Sequence, residues 1–424
     1  MNNWLETTLG KVAQVSTGYP FKSEFYSDNN QDIRLLRGDN ISQGSMNWDD
    51  AKTWPISQSE DFKEYQLEEQ DVVLAMDRPW IGAGLKYSKI LKSDLPALLV
   101  QRTARLRGSD KLDNGYLKYV IGSPWFSSYI KRITTGSLVP HISLKQIREF
   151  PLSLPPIDEQ KKVAKVLGTI EEKIELNNRI NAKLEAMAKT LYDYWFVQFD
   201  FPDANGKPYK TSGGKMVYNP TLKREIPKGW DDGTLEALGQ IVGGSTPSTK
   251  DPENFTSNGT PWITPNDLSA NQGNKFISHG AQDVSLKGMR DASLKKHPAG
   301  TVLLSSRAPI GYMAIARNEV TTNQGFKSFI PSKGYSTEFV YYTVKGTLKA
   351  ITQSASGSTF KEVSATTLKM IKVALPEKTV VELYSHRIKP IFLKQDFVEK
   401  ENQELKQLRD WILPMLMNGQ VTVR

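Results

Sequence analysis

The sequence predicts an α+β chain in which two pseudo-repeated modules are joined by two long helices that pair as an antiparallel coiled coil. Three observations predict it. The second half restates the first at a nearly fixed offset, the front of each copy alternates short apolar runs with Gly, Pro, Asn and Ser clusters, and an apolar heptad seam fills the back of each copy.

The repeat is read from matched segments. VVLAMDRPWIG at 72–82 answers TVLLSSRAPIG at 301–311, which sets Arg78 against Arg307 and Gly82 against Gly311. TTGSLVPHIS at 134–143 answers ASGSTFKEVS at 355–364, and the offset then stays at 221 through Asn181 and Leu184 against Asn402 and Leu405. Earlier segments need offsets of 223 and 229. Insertions and deletions therefore fall in the front of each copy, where loops carry function, while the back keeps its register. The expected division is a first module at 1–155, a first long helix at 156–200, a linker at 201–228, a second module at 229–376 and a second long helix at 377–424.

Runs such as DVVLAM and TVLLSS, set among turn residues, predict strands with long loops and a few helices. The period then changes. Val163, Leu167, Ile170, Ile174, Asn177, Asn181, Leu184, Ala188, Leu191 and Trp195 alternate steps of four and three, a sustained heptad seam. Asp158 is the expected N-cap after Pro155 and Pro156, and Phe201-Pro202 closes the segment. A helix from Asp158 to Phe196 spans about 58 Å at 1.5 Å per residue. The second seam runs Tyr384, Ile388, Ile391, Gln395, Val398, Asn402, Leu405 and Ile412. Pairing the two seams buries both stripes, and the polar positions Asn177, Asn181 and Asn402 are expected to set register. Pro390 aligns with Thr169 and predicts that the second helix kinks there or begins after it. Residues 201–230, rich in Gly, Pro, Lys and Asn, read as a linker.

Composition narrows the chemistry. The chain of 424 residues has no Cys, which excludes disulfides, thiolate zinc sites and a Cys nucleophile. No leader pattern or apolar run of about 18 residues occurs, so the expected location is the cytoplasm. The formal charge of +9 invites a nucleic-acid reading, but residues 1–156 carry 19 basic and 18 acidic side chains and residues 229–376 carry 15 and 11. Local clusters say more: Arg102, Arg105 and Arg107 lie together, whereas Glu60, Asp61, Glu64, Glu68, Glu69 and Asp71 form an acidic stretch, although either run also reads as a solvated face.

Signals for catalysis fail on inspection. SLPPID at 153–158 lacks both the acceptor and the stacking ring of the loop that grips a flipped adenine in amino-methyltransferases. IGAGLKY at 81–87 and TSGGKM at 211–216 are incomplete as nucleotide-binding glycine motifs. His141, His279, His297 and His386 fall at no metal spacing. No catalytic residue, metal or cofactor is expected. A dispersed acidic nuclease triad in the first module stays open, although nothing in the second repeats it.

Signals for reading double-stranded DNA come in matched places, as cationic and amide side chains on loops. RLLRGDNIS at 34–42 answers PWITPNDLS at 261–269, with Arg37 and Asn40 opposite Thr264 and Asp267. VQRTARLR at 100–107 answers NQGFKSFI at 323–330, with Gln101 opposite Gln324. The Gly136-Ser137 and Gly357-Ser358 turns offer backbone amides. The candidate DNA contacts are Arg37, Asn40, Arg78, Gln101, Arg102, Arg105, Ser137, Arg307, Gln324, Lys327, Ser358 and Lys361. Their identities differ between copies, so the two surfaces are expected to read different sequences.

LEAMAKTLYDYWFVQFDFP at 184–202, continuing into NGKPYKTSGGKMVYN, and LKQLRDWILPMLMNGQV at 405–421 resemble the central and distal spacer regions of type I restriction-modification specificity subunits. LPPIDEQKKVAKVL at 154–167 is similar to the start of their spacer helix. The resemblance implies target-recognition domains joined by spacer helices, in a non-catalytic subunit that binds a bipartite, asymmetric DNA target. It implies as partners two methyltransferase subunits that use S-adenosylmethionine, and restriction subunits that use ATP and Mg to translocate and cut. Tyr192, Tyr194 and Phe196, expected beside the seam, are the candidate partner contacts, with core packing as the equal alternative. Half-sites are expected about one DNA turn apart, roughly 10 bp centre to centre, on opposite strands. A stand-alone methyltransferase or nuclease with a built-in recognition domain would need a cofactor motif that is absent. An orphan specificity subunit serving another locus would look the same in sequence.

Overall fold

The computed structural model describes residues 4–81, 84–134, 140–307, 309–355 and 361–423. It divides into two compact units, Met1–Ile174 with Glu404–Arg424, and Glu175–Gln403. The cut falls inside each long helix and not at the expected module edges. Each module buries its apolar face on segments of both helices, as the cores show.

In the first unit, Ala13–Thr17, Thr103–Gly108, Val72–Ala75 and Tyr87–Lys89 form a four-stranded sheet in that order. Thr53–Trp54, Ile33–Leu36 and Ala97–Leu99 form a second sheet, and Leu5–Thr8 pairs with Pro151–Leu154. The core joins Val72, Leu74, Leu106, Tyr116 and Phe126 to Val163 and Leu167 of the first long helix and Leu416 and Met417 of the second.

The second unit repeats this plan. Gly239–Gly243, Lys327–Pro331, Val302–Leu304 and Met313–Ala316 take the same order, extended by Phe276–Ile277, and Asp231–Thr234 pairs with Lys372–Leu375. Register supports the equivalence: Leu5 opposes Leu154 in one module and Asp231 opposes Leu375 in the other, and Leu375 is again 221 residues on from Leu154. Val302, Phe329, Phe339 and Val344 are buried with Ala188, Tyr384, Ile388 and Phe392 of the two long helices.

The first long helix runs Ile157–Tyr192 and continues as a π turn over Asp193–Val197. Asp158 lies in its first turn and not at the N-cap, where its charge still favours the positive end of the helix dipole. The second runs Lys378–Met417, so it neither begins after Pro390 nor is interrupted there. Pro390 and His386 are both exposed, which puts the carbonyl that loses its amide donor on the solvent side and lowers the cost of the proline.

Along the seam Val163, Leu167, Ile174, Asn177, Ile388, Val398 and Asn402 are buried, and Ile170, Asn181, Leu184, Leu191, Ile391, Leu405 and Ile412 are half-buried. The amide of Asn177 donates to Asn402 Oδ1 at 3.0 Å and to Glu401 at 2.7 Å, while Asn402 donates to Asn178 at 2.9 Å. Asn181 donates to Glu399 at 3.4 Å.

Residues 201–230 are not the flexible linker that composition suggested. Met216–Asn219 and Arg224–Pro227 form a hairpin, and Phe199, Phe201, Tyr209, Ile226 and Trp230 pack into the core of the second unit. Phe201 stacks on Tyr209 and Trp230 at centroid distances of 4.7 and 5.3 Å. Widely spaced aromatics anchor a Gly- and Pro-rich stretch without any periodic signal.

A buried polar cluster ties the second module to the helices. Lys275 Nζ donates to Gln395 at 2.7 Å and to the Tyr342 hydroxyl at 3.0 Å, and it pairs with Glu185 at 2.7 Å. Glu185 also holds Lys345 at 2.7 Å. Burial alone would raise the Glu185 carboxyl, but the two lysines overcome it and hold it near about 2. Burial lowers Lys275 to about 8 against the pull of Glu185. Replacing Glu185 with Gln strands a buried ammonium and should cost about 3–5 kcal/mol near neutral pH. The unfolded lysine stays protonated to a higher pH than the folded one, so stability in the variant rises with pH as Lys275 sheds its proton. That proton leaves at lower pH in the variant than in the wild type, so the deficit should narrow as pH approaches 8. Hydrogen exchange of peptides covering Lys275, measured on both proteins at pH 6.5 and 8, checks this, and an unchanged protection pattern would refute it.

Candidate nucleic-acid interface

Most sequence-predicted contacts fall on loops, while Arg105 lies within the strand Thr103–Gly108 and Lys327 opens Lys327–Pro331, and the fold sorts them sharply. Gln101 and Arg102 form the exposed turn into the strand Thr103–Gly108, and Gln324 and Gly325 hold the same place before Lys327–Pro331. The anchoring is identical. Tyr19 N–H donates to Leu99 O at 3.0 Å in the first module, and Ser245 N–H donates to Thr322 O at 3.0 Å in the second. Gln324 is exposed and hydrogen-bonds Thr246, and Gln101 is exposed at the matching place of the first module.

The segments that resume at Pro140 and Lys361 are held by a common backbone ladder. Met76 N–H donates to Arg102 O and Ile142 N–H to Met76 O, both at 2.9 Å. In the second module Ser306 N–H donates to Gly325 O at 2.8 Å and Val363 N–H to Ser306 O at 3.0 Å. Asp77 opposes His141 across this bridge, and Arg307 opposes Glu362. The equivalence corrects the sequence alignment by one residue. Arg307 answers Asp77, not Arg78, because a one-residue insertion between the strand and the matched glycines was absorbed into an ungapped match.

Arg78 is exposed with a left-handed φ of 44°, and its N–H donates to Pro140 O at 3.0 Å. Lys327 is half-buried and lies 3.4 Å from Glu362, and Lys361 is exposed. Ser137 and Ser358, with Gly136 and Gly357, lie outside the described residues.

Two candidates, Asn40 and Arg105, are structural. Asn40 is buried, accepts from Arg37 N–H at 3.0 Å and donates to Asn47 O at 3.1 Å, so it closes a turn. Asp267 closes the matching turn in the second module by accepting from Thr264 N–H at 2.7 Å. Arg37 itself stays partly exposed beside Asp39 at 3.5 Å. Arg105 is half-buried and spends its guanidinium on the carbonyls of Glu64 and Gln66, each at 3.0 Å. Arg107 is likewise tied to Asp71 and to Glu68 at 2.8 Å. The basic cluster and the acidic stretch thus neutralise one another.

The partner candidates divide too. Phe196 is buried, with its ring 4.8 Å from Phe339 and 4.9 Å from Tyr384, and Tyr192 is half-buried with its hydroxyl bonded to Thr343 at 3.1 Å. For these two the structure takes the alternative of core packing. The π turn rotates this end of the helix so that Trp195 and Phe196 both face the core, leaving Tyr194 exposed. Beside Gln101, Arg102 and Gln324 the structure places Asp77, His141, Thr246 and Glu362, none of them among the sequence-predicted contacts. The match of TTGSLVPHIS with ASGSTFKEVS already set His141 against Glu362. Among the described residues no group of three or more His, Asp or Glu could hold a metal ion.

Arg105→Ala should lower stability by about 1–3 kcal/mol, the cost of leaving two carbonyls without their donor. The DNA sequence preference should not change. Urea unfolding and the methylation motif of the reconstituted complex report the two separately.

The family model described as type I restriction modification DNA specificity domain matches residues 1–186 and 227–407. The MjaIX type I restriction enzyme specificity subunit of Methanocaldococcus jannaschii is 38% identical over 198 residues, which are 45% of each chain. Against that relative, the match spans about half its length. The HindI type I specificity subunit of Haemophilus influenzae is 27% identical over 346 residues, 70% of this chain and 74% of that one. In fold, the crystal structure of a type I restriction-modification S subunit from M. genitalium superimposes with a TM-score of 0.60 at 14% identity, covering 98% of this chain and 96% of that one. Both modules and most of the first long helix fall within the matched ranges, and the chain belongs to the type I restriction modification DNA specificity domain family.

Proposed function

We propose that this chain is the DNA-reading subunit of a type I restriction-modification complex and carries no catalytic group of its own. Each module reads one half-site of a bipartite, asymmetric duplex target. The observation that carries this reading is one backbone scaffold built twice with different side chains at its exposed loops: Arg37 against Thr264, Arg102 against Gly325, and Asp77 against Arg307. Shared scaffolds with changed polar groups suit two different base sequences. A stand-alone enzyme would need its chemistry in at least one module, and the carboxylates of the first that face cations are used in ion pairs, as with Asp71 and Asp77.

The long helices are the scaffold for partners. Beyond the seam, Leu176, Met187 and Tyr194 share one exposed face of the first helix, and Leu393 and Phe397 are exposed on the second within the same unit. In the other unit Leu408 and Trp411 are exposed. Apolar stripes of this kind mark interaction surfaces. Methyltransferase subunits would cover them, supplying S-adenosylmethionine chemistry, while restriction subunits supply the ATP- and Mg-dependent steps.

The chain expressed alone should aggregate or bind DNA weakly, and co-expression with its methyltransferase subunit should rescue it. Tight sequence-specific binding by the isolated chain, titrated at physiological salt, would count against partner dependence. Inserting four residues between Asn181 and Leu184 adds about one helical turn, near 5.4 Å. Both half-sites should persist while the unread gap lengthens by one to two base pairs. Methylome sequencing of cells carrying that variant and its partner decides the point, since an unchanged gap with intact methylation would remove the helices as the ruler.

A further inference from the structure

The same guanidinium is delivered to the same place in each module by different elements. In the first module Arg102 sits on the turn itself, and its Nη1 meets Asp77 Oδ2 at 3.0 Å. Asp77 in turn faces His141 across the loop-closing bridge and bonds its ring. In the second module the turn residue is Gly325, and the strand residue that answers Asp77 is Arg307. A Cβ built on Gly325 would meet Asn323 Oδ1 at 3.0 Å, Pro265 Cγ at 3.1 Å and Arg307 Nε at 3.5 Å, so the Arg307 side chain passes beside the turn. Its bridge partner is Glu362, in the place of His141. Residues opposed across an antiparallel bridge project to one side, about 4.5–5.5 Å apart at Cβ, so acid and cation are neighbours there too. Glu362 is further held by Lys327 at 3.4 Å.

Backbone conformation separates the two turns. Arg102 holds a left-handed φ of 64°, a state uncommon for residues other than glycine and concentrated at functional sites. Gly325, in the matching place of the second module, is outside that region. The first module thus keeps a long, 70% exposed side chain at an unfavourable φ.

We propose that Arg102 and Arg307 are corresponding DNA contacts, one in each half-site, each steered by an acid of the loop-closing bridge, Asp77 in the first module and Glu362 in the second. The proposal rests on the DNA-reading function above and adds a positional claim. The two arginines occupy equivalent places in the repeat, so they meet bases or phosphates at the same step counted from the unread gap. Asp77 and Glu362 are positioning residues. Sign inversion at the strand keeps the pair attractive while the donor moves from turn to strand.

The test uses the complex reconstituted with its methyltransferase partner, read by methylome sequencing and by DNA titration at two salt concentrations. Arg102→Ala and Arg307→Ala should each relax or weaken one position of its own half-site. The two positions should be equally far from the gap, and affinity should fall about 5- to 150-fold. A triple variant, Asp77→Arg with Arg102→Gly and His141→Glu, installs the second module's layout in the first and should recover most of what Arg102→Ala loses. A merely structural role would shift thermal unfolding without a position-specific change in motif. The assignment is overturned if both alanine variants keep the wild-type motif and affinity, or if the altered positions do not correspond. If the triple variant does not fold, the alanine pair decides alone. Absence of any sequence-specific methylation by the wild-type complex would instead overturn the DNA-reading function.

Discussion

Asn177 and Asn402 meet at 3.0 Å across the buried seam of the long helices, and the register they impose decides which residues of each helix remain for the modules. A slide of one turn would place Asn177 against Val398 or Leu405, and a buried amide without a partner costs about 1–3 kcal/mol. Glu401 and Asn178 complete the set, so the four groups satisfy one another only in this alignment. The same constraint explains a feature of the sequence. The offset of 221 is unbroken from the loop-closing segment through the helices, because any insertion there would misalign the amides and the docking faces together.

The docking faces show what the register protects. On the second helix Phe392, Gln395 and Glu399 are buried beside the seam residues Ile391, Val398 and Asn402, so the helix is covered on two sides. Glu399 accepts from the backbone amides of Lys275 and Phe276 at 2.7 and 3.1 Å and pairs with Arg317 at 2.8 Å. Burial raises its carboxyl in spite of these donors, a sign of how completely it is enclosed. On the first helix Glu171 plays the simpler part, taking Lys118 and the Tyr119 hydroxyl, the latter at 3.0 Å. Polar clusters of this depth specify one seating of module on helix, where an apolar face alone would allow several.

The repeat and the seam were legible because both are periodic. Val163, Leu167 and Ile174 announce burial by spacing alone, and the structure buries them. What escaped depends on contacts between segments distant in sequence. Nothing local marks Arg105 as a cap for the carbonyls of Glu64 and Gln66, 41 and 39 residues away in the chain, or Asn40 as the lock of a turn. Phe196 sits at helical spacing that leaves its face undecided until the π turn rotates it inward. The hairpin at 216–227 is held by single aromatics scattered over thirty residues, below the reach of a periodicity test. Arg307 was aligned to Arg78 because identical residue types in an ungapped match outweigh a register that only backbone bonds reveal.

That misalignment follows from the way the reading surface is built. The loops are closed by main-chain bonds, Met76 to Arg102 and Ile142 to Met76 in one module, Ser306 to Gly325 and Val363 to Ser306 in the other. Main-chain bonds make no demand on side-chain identity, so residues 77, 102 and 141 and their counterparts are free to change as long as their charges stay complementary. Asp77 with Arg102 satisfies that condition, and so does Glu362 with Lys327 and its bridge neighbour Arg307. A scaffold that holds its shape through the backbone can exchange an acid for a base at the same point and keep its loops in place. The cost is borne at Arg78 and Arg102, whose left-handed φ angles of 44° and 64° are the strained points of the first module's loops. Variation in what is read and constancy in how it is presented are therefore assigned to different atoms, side chains for the first and amides for the second.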